Sequence, residues 1–250
     1  MYKIGIDLGS SYTKGVLVDE YGKIVDYQLT RTGVDFNKAA NKIFDSFPKD
    51  KIQYPVYSCG YGRDEIKIPF VSNSEIMALS KAVFEIYKKK CSIIDIGGQD
   101  TKYITINNIG QVDRFKMNRK CAAGTGSFIE ELAFRMDIPP SEFSNYAGQA
   151  TKEIKINSYC TVFAVSEIIG LIKKGSTLPN IILGIYNSVI SRCLELSPVD
   201  NFLVLTGGIP DNHPAMMNLF KKKFINCESP EKSQFLAAWG CVLLNTEKIK

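Results

Sequence analysis

Two short segments of the chain repeat one pattern of aspartate, glycine and lysine. Asp7 and Gly9 in the first segment correspond to Asp95 and Gly97 in the second, at a constant offset of 88 residues. An aspartate at the end of a strand can hold Mg²⁺ through water, because this ion prefers oxygen ligands and keeps several waters. Backbone N–H groups of the glycine turn that follows form a concave site for an anion. The repeat therefore predicts two turns that hold a polyphosphate from both sides.

The residues around the two turns have separate predicted roles. Asp7 and Asp95 are predicted to position Mg²⁺ and the attacking water. Gln99 and Asp100 remain alternative residues for orienting that water, since phosphoryl transfer depends mainly on positioning and charge stabilisation. The predicted phosphate contacts come from both turns, namely Gly9, Ser10, Ser11, Thr13, Lys14, Gly97 and Gly98. Lys14 also fits an ordinary surface position on an alternating strand.

Two further glycine segments fit a nucleotide site. Gly207 and Gly208 are a third glycine pair and follow a short apolar strand. The other segment begins three residues after Cys121, and its predicted nucleotide contacts are Gly124, Thr125 and Gly126. Because it lies so close to Cys121 in sequence, this segment is a predicted link between nucleotide binding and the cysteine.

Two cysteines lie shortly before predicted helices. Cys121 precedes apolar residues at helical spacing, and Cys160 precedes a helix that ends in Lys-Lys-Gly. Two thiolates supply half of the four ligands that an iron–sulfur cluster usually takes, so a symmetric dimer would complete the shell. The alternative is that both are buried free cysteines at helix starts. The remaining cysteines are predicted to be small buried residues, namely Cys59, Cys91, Cys193, Cys227 and Cys241.

The elements that position these residues alternate between strands and helices, as in an α/β fold. Each aspartate turn joins two predicted strands, over Lys3–Leu8 and Thr13–Val18 and over Ser92–Ile96 and Thr101–Ile106. Predicted helices cover Asp35–Phe47 and Ser74–Lys88, and the last begins at Ser229 before Pro230. The prediction is two duplicated subdomains with mixed sheets and a nucleotide cleft between them. The first covers residues 1–72, completed by a helix over 229–248, and the second covers 73–228 with the cluster cysteines.

The bulk composition narrows the functional class. A hydrophobic content of 45% and a charged content of 23% are ordinary for a soluble globular protein. The net charge is +5, and the lysine runs at 88–90 and 221–223 end predicted helices, which favours solvated helix ends over a nucleic-acid surface. The sequence pattern predicts a cytoplasmic protein without membrane association. The odd number of seven cysteines disfavours a disulfide framework. His213, the single histidine, is predicted to begin a helix.

Taken together, the motifs resemble those of the actin, Hsp70 and sugar-kinase superfamily, which implies an actin-like (ribonuclease H-like) fold. The two phosphate motifs and the adenosine motif of that superfamily match Asp7-x-Gly9, Asp95-x-Gly97-Gly98 and Thr206-Gly207-Gly208. The activators of 2-hydroxyacyl-CoA dehydratases and the ATPase subunits of benzoyl-CoA reductases show a narrower resemblance. It is carried by Ile94–Asp100, Lys120–Gly126, Cys160–Ala164 and Gly60–Arg63.

This resemblance implies a homodimeric ATPase with one [4Fe–4S] cluster at its interface, bound by Cys121 and Cys160 of each subunit. ATP hydrolysis would drive low-potential electrons from ferredoxin or flavodoxin into a partner iron–sulfur dehydratase or reductase. Many members read Phe-Ala-Glu-Ser-Glu where this chain has Val165 in place of the first glutamate and keeps Glu167. The alternatives are a small-molecule kinase or a regulatory ATPase of the same superfamily, neither of which needs a cluster.

Overall fold

The computed structural model describes residues 1–48, 54–118, 121–158, 160–199 and 202–246. The chain divides into two compact units, each of which is built from more than one segment of the chain. The first unit comprises residues 1–90, 104–114 and 234–250, and the second comprises 91–103 and 115–233. No helix in the described part of the chain is long and apolar enough to cross a membrane.

The first sheet begins with three antiparallel strands and continues with two parallel ones. Its strands are β1 (Lys3–Leu8), β2 (Tyr12–Val18), β3 (Ile24–Arg31), β4 (Val56–Cys59) and β5 (Val71–Ser72), in the order β3-β2-β1-β4-β5. The helices of this unit are α1 (Phe36–Ser46), α2 (Glu75–Tyr87) and α9 (Leu236–Thr246). The α9 helix packs against α2 and β1. Residues from near the two ends of the sequence therefore share one core.

The second sheet has the same order of strands. Its strands are β6 (Cys91–Ile96), β7 (Thr101–Ile106), β8 (Val112–Asn118), β9 (Leu203–Thr206) and β10 (Cys227–Glu228), in the order β8-β7-β6-β9-β10. The second unit adds α3 (Gly126–Arg135), α4 (Phe143–Gly148), α5 (Thr161–Lys173), α6 (Leu178–Leu194), α7 (Gly208–Asn212) and α8 (Pro214–Lys223). The predicted duplication of an α/β unit is confirmed, and it extends to the pair β4 and β9, which the sequence repeat does not cover.

The predicted elements form for the expected local reasons. Asp35 caps α1 by accepting a hydrogen bond of 2.8 Å from the backbone N–H of Lys38. The α2 helix begins after Ser74, as predicted, and ends at Lys88 in the left-handed conformation. Both lysine runs lie at helix ends, since α8 ends in the second run.

The predicted start of the last helix at Ser229 is wrong. Lys232 has a φ of +53°, which a continuous right-handed helix cannot contain. The backbone N–H and the hydroxyl of Ser233 both donate to Asp211 Oδ1, at 2.9 and 2.7 Å. These contacts hold the chain in a short 3₁₀ turn at 233–235, and the α9 helix begins only at Leu236.

His213 begins α8, as predicted, and also joins a buried polar network. Its Nδ1 lies 2.7 Å from the hydroxyl of Tyr186, which is 3.3 Å from the hydroxyl of Ser144. Burial lowers the pKa of His213 to about 4 and raises the pKa of Tyr186 to about 12. His213 is therefore neutral at physiological pH, and the network links α4, α6 and the start of α8.

Candidate functional site

The first candidate turn, residues 7–12, connects β1 to β2 and is called the first Asp turn. Asp7 is buried and lies opposite Lys14 on β2 and Cys59 on β4. Lys14 Nζ donates to Asp7 Oδ2 at 2.9 Å, and the Cys59 thiol makes a long contact of 3.9 Å with Asp7 Oδ1. Burial and a hydrogen bond with Cys241 raise the pKa of the Cys59 thiol well above its ordinary value, so it remains an S–H donor.

The second candidate turn, residues 95–100, connects β6 to β7 and is called the second Asp turn. Lys102 is only 2% exposed, and its Nζ donates to Asp95 Oδ2 at 3.3 Å and to Asp100 Oδ1 at 2.7 Å. The hydroxyl of Thr206 donates to Asp95 Oδ1 at 2.8 Å, from the position directly opposite on β9. A buried ammonium group is thus compensated by two carboxylates, as burial of a charge requires.

A glycine follows the last strand residue at equivalent places in the two units. Gly60 has a φ of +94°, and Gly207 has a φ of +99°, conformations that side chains rarely adopt. A Cβ atom at Gly60 would lie 2.6 Å from the carbonyl oxygen of Leu8, and one at Gly207 would lie 2.5 Å from that of Ile96. The sequence analysis identified Gly207 and missed Gly60 as its counterpart. The available signal was a Cys-Gly pair ending a short apolar strand.

The other predicted residues of the first Asp turn differ in accessibility. Ser10 and Ser11 are partly exposed, as is Gly9. Thr13 is fully buried, and its hydroxyl lies 3.0 Å from that of Thr32, which donates to the carbonyl oxygen of Gly9 at 2.7 Å. The observed contacts of Thr13 therefore stabilise the turn from inside the unit.

In the second Asp turn, Gly97 and Gly98 are partly exposed and Gln99 is exposed. The carboxylate of Asp100 lies inward against Lys102, whereas no such contact draws Gln99 inward in the described residues. Gly208 begins α7, and among the described residues no atom beyond its chain neighbours and its own helix lies within 4 Å of where a Cβ would stand. The fold therefore has space for a side chain at Gly208, whereas it requires glycine at position 207.

Residues 121–127, called the cysteine segment, are hydrogen-bonded directly to the second Asp turn. The backbone N–H groups of Gly126 and Ser127 donate to the carbonyl oxygens of Gly97 and Gly98, at 2.9 and 2.7 Å. The hydroxyl of Thr101 donates to the carbonyl oxygen of Gly124 at 2.6 Å. The cysteine segment and the second Asp turn are therefore in direct contact within the second unit.

Within the cysteine segment, a local turn fixes the residues between Cys121 and α3. The side chain of Thr125 donates to the carbonyl oxygen of Ala122 at 2.6 Å. The amide of Asn118 donates to the carbonyl oxygens of Cys121 and Ala123, at 3.2 and 3.1 Å. Arg119 and Lys120, which precede Cys121, lie outside the described residues.

The seven cysteines fall into two groups by exposure. Cys121 and Cys160 are exposed, and the other five are buried. The alternative in which these two are buried structural cysteines is therefore wrong, and the prediction of five buried cysteines is confirmed. Cys160 occupies the N-cap position of α5, whereas Cys121 lies five residues before α3. In the described residues, no group of three or more His, Cys, Asp or Glu side chains is arranged to hold a metal ion.

Glu167 fixes the segment that leads to Cys160. Its carboxylate accepts hydrogen bonds from the backbone N–H of Asn157 at 3.0 Å and from that of Ser158 at 2.8 Å. Burial acts to raise the pKa of Glu167, but these hydrogen bonds outweigh it and the pKa is lowered. Val165 is partly buried and packs against the core of the second unit.

The paired sheets and their Asp turns define an actin-like ATPase fold. The chain belongs to the BadF/BadG/BcrA/BcrD ATPase family, whose model matches residues 4–245. The predicted family, fold and ATPase class are therefore confirmed.

The chain is similar over nearly its whole length to named activators. It is 34% identical to the activator of lactoyl-CoA dehydratase of Anaerotignum propionicum, over 95% of this chain and 96% of that protein. It is 31% identical to the (R)-2-hydroxyglutaryl-CoA dehydratase activating ATPase of Acidaminococcus fermentans, over 99% and 98%. The structure of the activator of the 2-hydroxyisocaproyl-CoA dehydratase from Clostridium difficile with bound ADPNP matches with a TM-score of 0.88 and 28% identity, over 99% and 95%.

Proposed function

We propose that this chain is an ATP-dependent electron-transfer activator, in which ATP hydrolysis is coupled to electron delivery into a partner iron–sulfur enzyme. One observation carries the proposal. The second Asp turn is hydrogen-bonded to the segment that begins with exposed Cys121, through Gly126, Ser127 and Thr101. A change in the turn on nucleotide binding would therefore be transmitted through these hydrogen bonds to the segment that carries the cysteine.

In this proposal, both Asp turns contribute to binding the phosphates. Their buried aspartates suit binding of Mg²⁺ through an intervening water molecule. Both oxygens of each carboxylate are already contacted by a donor group of the protein, which leaves a water-mediated contact as the better fit. Ser10, Ser11 and the backbone N–H groups of Gly9 and Gly98 supply phosphate donors, whereas the N–H of Gly97 already donates to the carbonyl oxygen of Asp100 at 3.0 Å. Thr13 acts inside the turn, since its hydroxyl is buried against Thr32.

The proposed choice for orienting the attacking water is Gln99. Asp100 is held by Lys102 at 2.7 Å, while the Gln99 side chain is exposed. The open space beside Gly208 suits the adenosine. Gln99 has the donor and acceptor groups needed to hold a water in line with the phosphate.

The proposed metal ligands are Cys121 and Cys160. The donor set fits half of a [4Fe–4S] site, because two exposed thiols need two more ligands from a second copy of the chain. Backbone N–H groups at the start of α5 favour negative charge near Cys160. Val162 and Phe163, next to Cys160, are 71% and 67% exposed, and a second copy would cover this apolar surface. When bound, such a cluster supplies one-electron transfer.

The proposed partners follow from this chemistry and from the names of the relatives. An iron–sulfur dehydratase or reductase would accept the electron, and ferredoxin or flavodoxin would supply it. Relatives named as activators of CoA dehydratases support the first of these assignments.

The test is the iron and acid-labile sulfide content of protein purified without oxygen, measured together with its native mass. We expect about two irons and two sulfides per chain in a dimer. Cys121→Ala and Cys160→Ala should lose them, whereas Cys227→Ala, a buried cysteine of the same unit, should keep them. A monomeric protein that stays metal-free after anaerobic reconstitution would overturn the proposal and favour a kinase or regulatory ATPase.

A further inference from the structure

Cys59 and Thr206 occupy the same place in the two duplicated units. Each is the last residue of the strand beside the Asp strand, and each pairs directly with the aspartate, Cys59 with Asp7 and Thr206 with Asp95. Each also precedes a glycine with a φ near +95°, at +94° and +99°. The repeat of 88 residues does not relate these positions, because the strands β4 and β9 lie at different distances from their Asp turns in the sequence.

The two units also share the pattern of contacts at the carboxylate. In each, a lysine of the next strand donates to Oδ2 of the aspartate, and the residue of the neighbouring strand approaches Oδ1. The aspartate is therefore held from both sides, with its plane fixed by donors on two strands. Cys59 and Thr206 are too deeply buried to contact a nucleotide from solvent, since both are 0% exposed.

We propose that Cys59 and Thr206 are equivalent positioning residues, which set the orientation of Asp7 and Asp95 for Mg²⁺–nucleotide binding. This inference rests on the proposed Mg²⁺ role of the two aspartates. Partners of a carboxylate that holds a metal commonly change metal affinity or activity about 10- to 100-fold when they are removed. The same geometry appears twice in one chain, with a hydroxyl in one unit and a thiol in the other.

The two donors differ in strength. The hydroxyl of Thr206 makes a short hydrogen bond of 2.8 Å, whereas the thiol contact of Cys59 is 3.9 Å long and a thiol is a weak donor. Asp95 is consequently held more firmly than Asp7. A threonine at position 59 would copy the second unit into the first.

Matched threonine and valine variants test the inference, because the two side chains have nearly the same shape and differ in the hydroxyl. Thr206→Val should lower kcat for ATP about 10- to 100-fold and raise the Mg²⁺ concentration needed for half-maximal activity. Cys59→Thr should have a kcat about threefold to tenfold higher than that of Cys59→Val. It should also need a lower Mg²⁺ concentration for half-maximal activity. Calorimetric titration with ADP, with Mg²⁺ and with EDTA, should show that the valine variants lose Mg²⁺-dependent affinity and keep Mg²⁺-independent affinity.

Thr105→Val is the matched control, because the Thr105 hydroxyl is buried without a hydrogen-bond partner in the described residues. It should match the parent protein in activity and Mg²⁺ dependence. Unchanged Mg²⁺ affinity in Thr206→Val, or equal values for Cys59→Thr and Cys59→Val, would overturn the inference. Iron content measured on the same preparations separates this result from failure of the proposed electron-transfer function, which predicts metal in every one of these variants.

Discussion

The two Asp turns lie between equivalent strands, and each has a lysine at the same position. The burial and pairing of that lysine differ between the two. Lys14 pairs with Asp7 and keeps 17% of its side chain exposed, whereas Lys102 keeps only 3% of its side chain exposed and pairs with both Asp95 and Asp100. At the offset of 88 residues, Tyr12 stands where Asp100 stands. One additional carboxylate therefore allows the second lysine to be buried, and it makes the second turn the more tightly constrained of the two.

The corresponding threonines extend the same contrast. Thr13 bonds to Thr32, which closes back on Gly9 of its own turn, whereas Thr101 reaches Gly124 in the cysteine segment. The threonine of the first copy is therefore bonded back to its own turn, and the threonine of the second copy is bonded to the segment that carries Cys121. Backbone hydrogen bonds from Gly126 and Ser127 strengthen that second connection.

The largest expected difference concerns the two lysines. Lys102→Met leaves buried Asp95 and partly buried Asp100 without their ammonium partner, which should cost about 3–5 kcal/mol of unfolding free energy. Lys14→Met leaves buried Asp7 without an ammonium partner that was itself partly exposed, and should cost less, about 2 kcal/mol. Urea denaturation of both variants measures the difference. Equal losses would show that the two turns are electrostatically alike, contrary to the observed burial.

The single histidine should make only the second unit sensitive to mild acid. The folded pKa of His213 is about 4, below the ordinary value of 6.5, so its neutral form is favoured in the folded state. Its contribution is complete above pH 6.5 and is lost as the pH falls toward 4, by about 3 kcal/mol. Hydrogen-exchange protection factors in α6 and α8, corrected for the intrinsic rate at each pH, should fall over this range more than those in α2.

His213→Gln is the control for the acid prediction. It should remove the difference between the units from pH 6.5 to 4, because the imidazole that takes up the proton is then absent. An unchanged acid response in this variant would assign the effect to other groups.

The smallest expected effect is that of the threonine pair. Thr101→Val removes the hydroxyl donor to Gly124 and should cost about 1 kcal/mol, and Thr13→Val should cost a similar amount. Only Thr101→Val should speed the loss of iron to a chelator, about fivefold for that free energy. Similar rates of iron loss in the two variants would show that the bond from Thr101 to the cysteine segment does not affect the cluster.

Periodicity and turn chemistry predict much of this fold from the sequence. The strands around the Asp turns and the helix after Asp35 follow from local patterns, and the repeat indicates the duplication. The contacts of Asp7 with Cys59 and of Asp95 with Thr206 do not, because they depend on which distant strand pairs with the Asp strand. The burial of Lys102 is hidden for the same reason, since an alternating strand does not reveal what covers each face.

The site was predictable to a similar extent. Exposure of Cys121 and Cys160 agrees with their motif, but the hydrogen bonds from Gly126 and Ser127 to the second Asp turn require the tertiary structure. The start of α9 was missed because a contact between Ser233 and Asp211, 22 residues apart, overrides a good local helix signal.

The packing of α9 against β1 and α2 has a consequence for synthesis on the ribosome. The first unit contains the earliest residues of the chain, but its core lacks one helix until residues 236–246 have emerged. All residues of the second unit precede that helix in the sequence, and domains generally fold as they are completed. The unit that carries both exposed cysteines is therefore translated in full first, although the first Asp turn is made earlier.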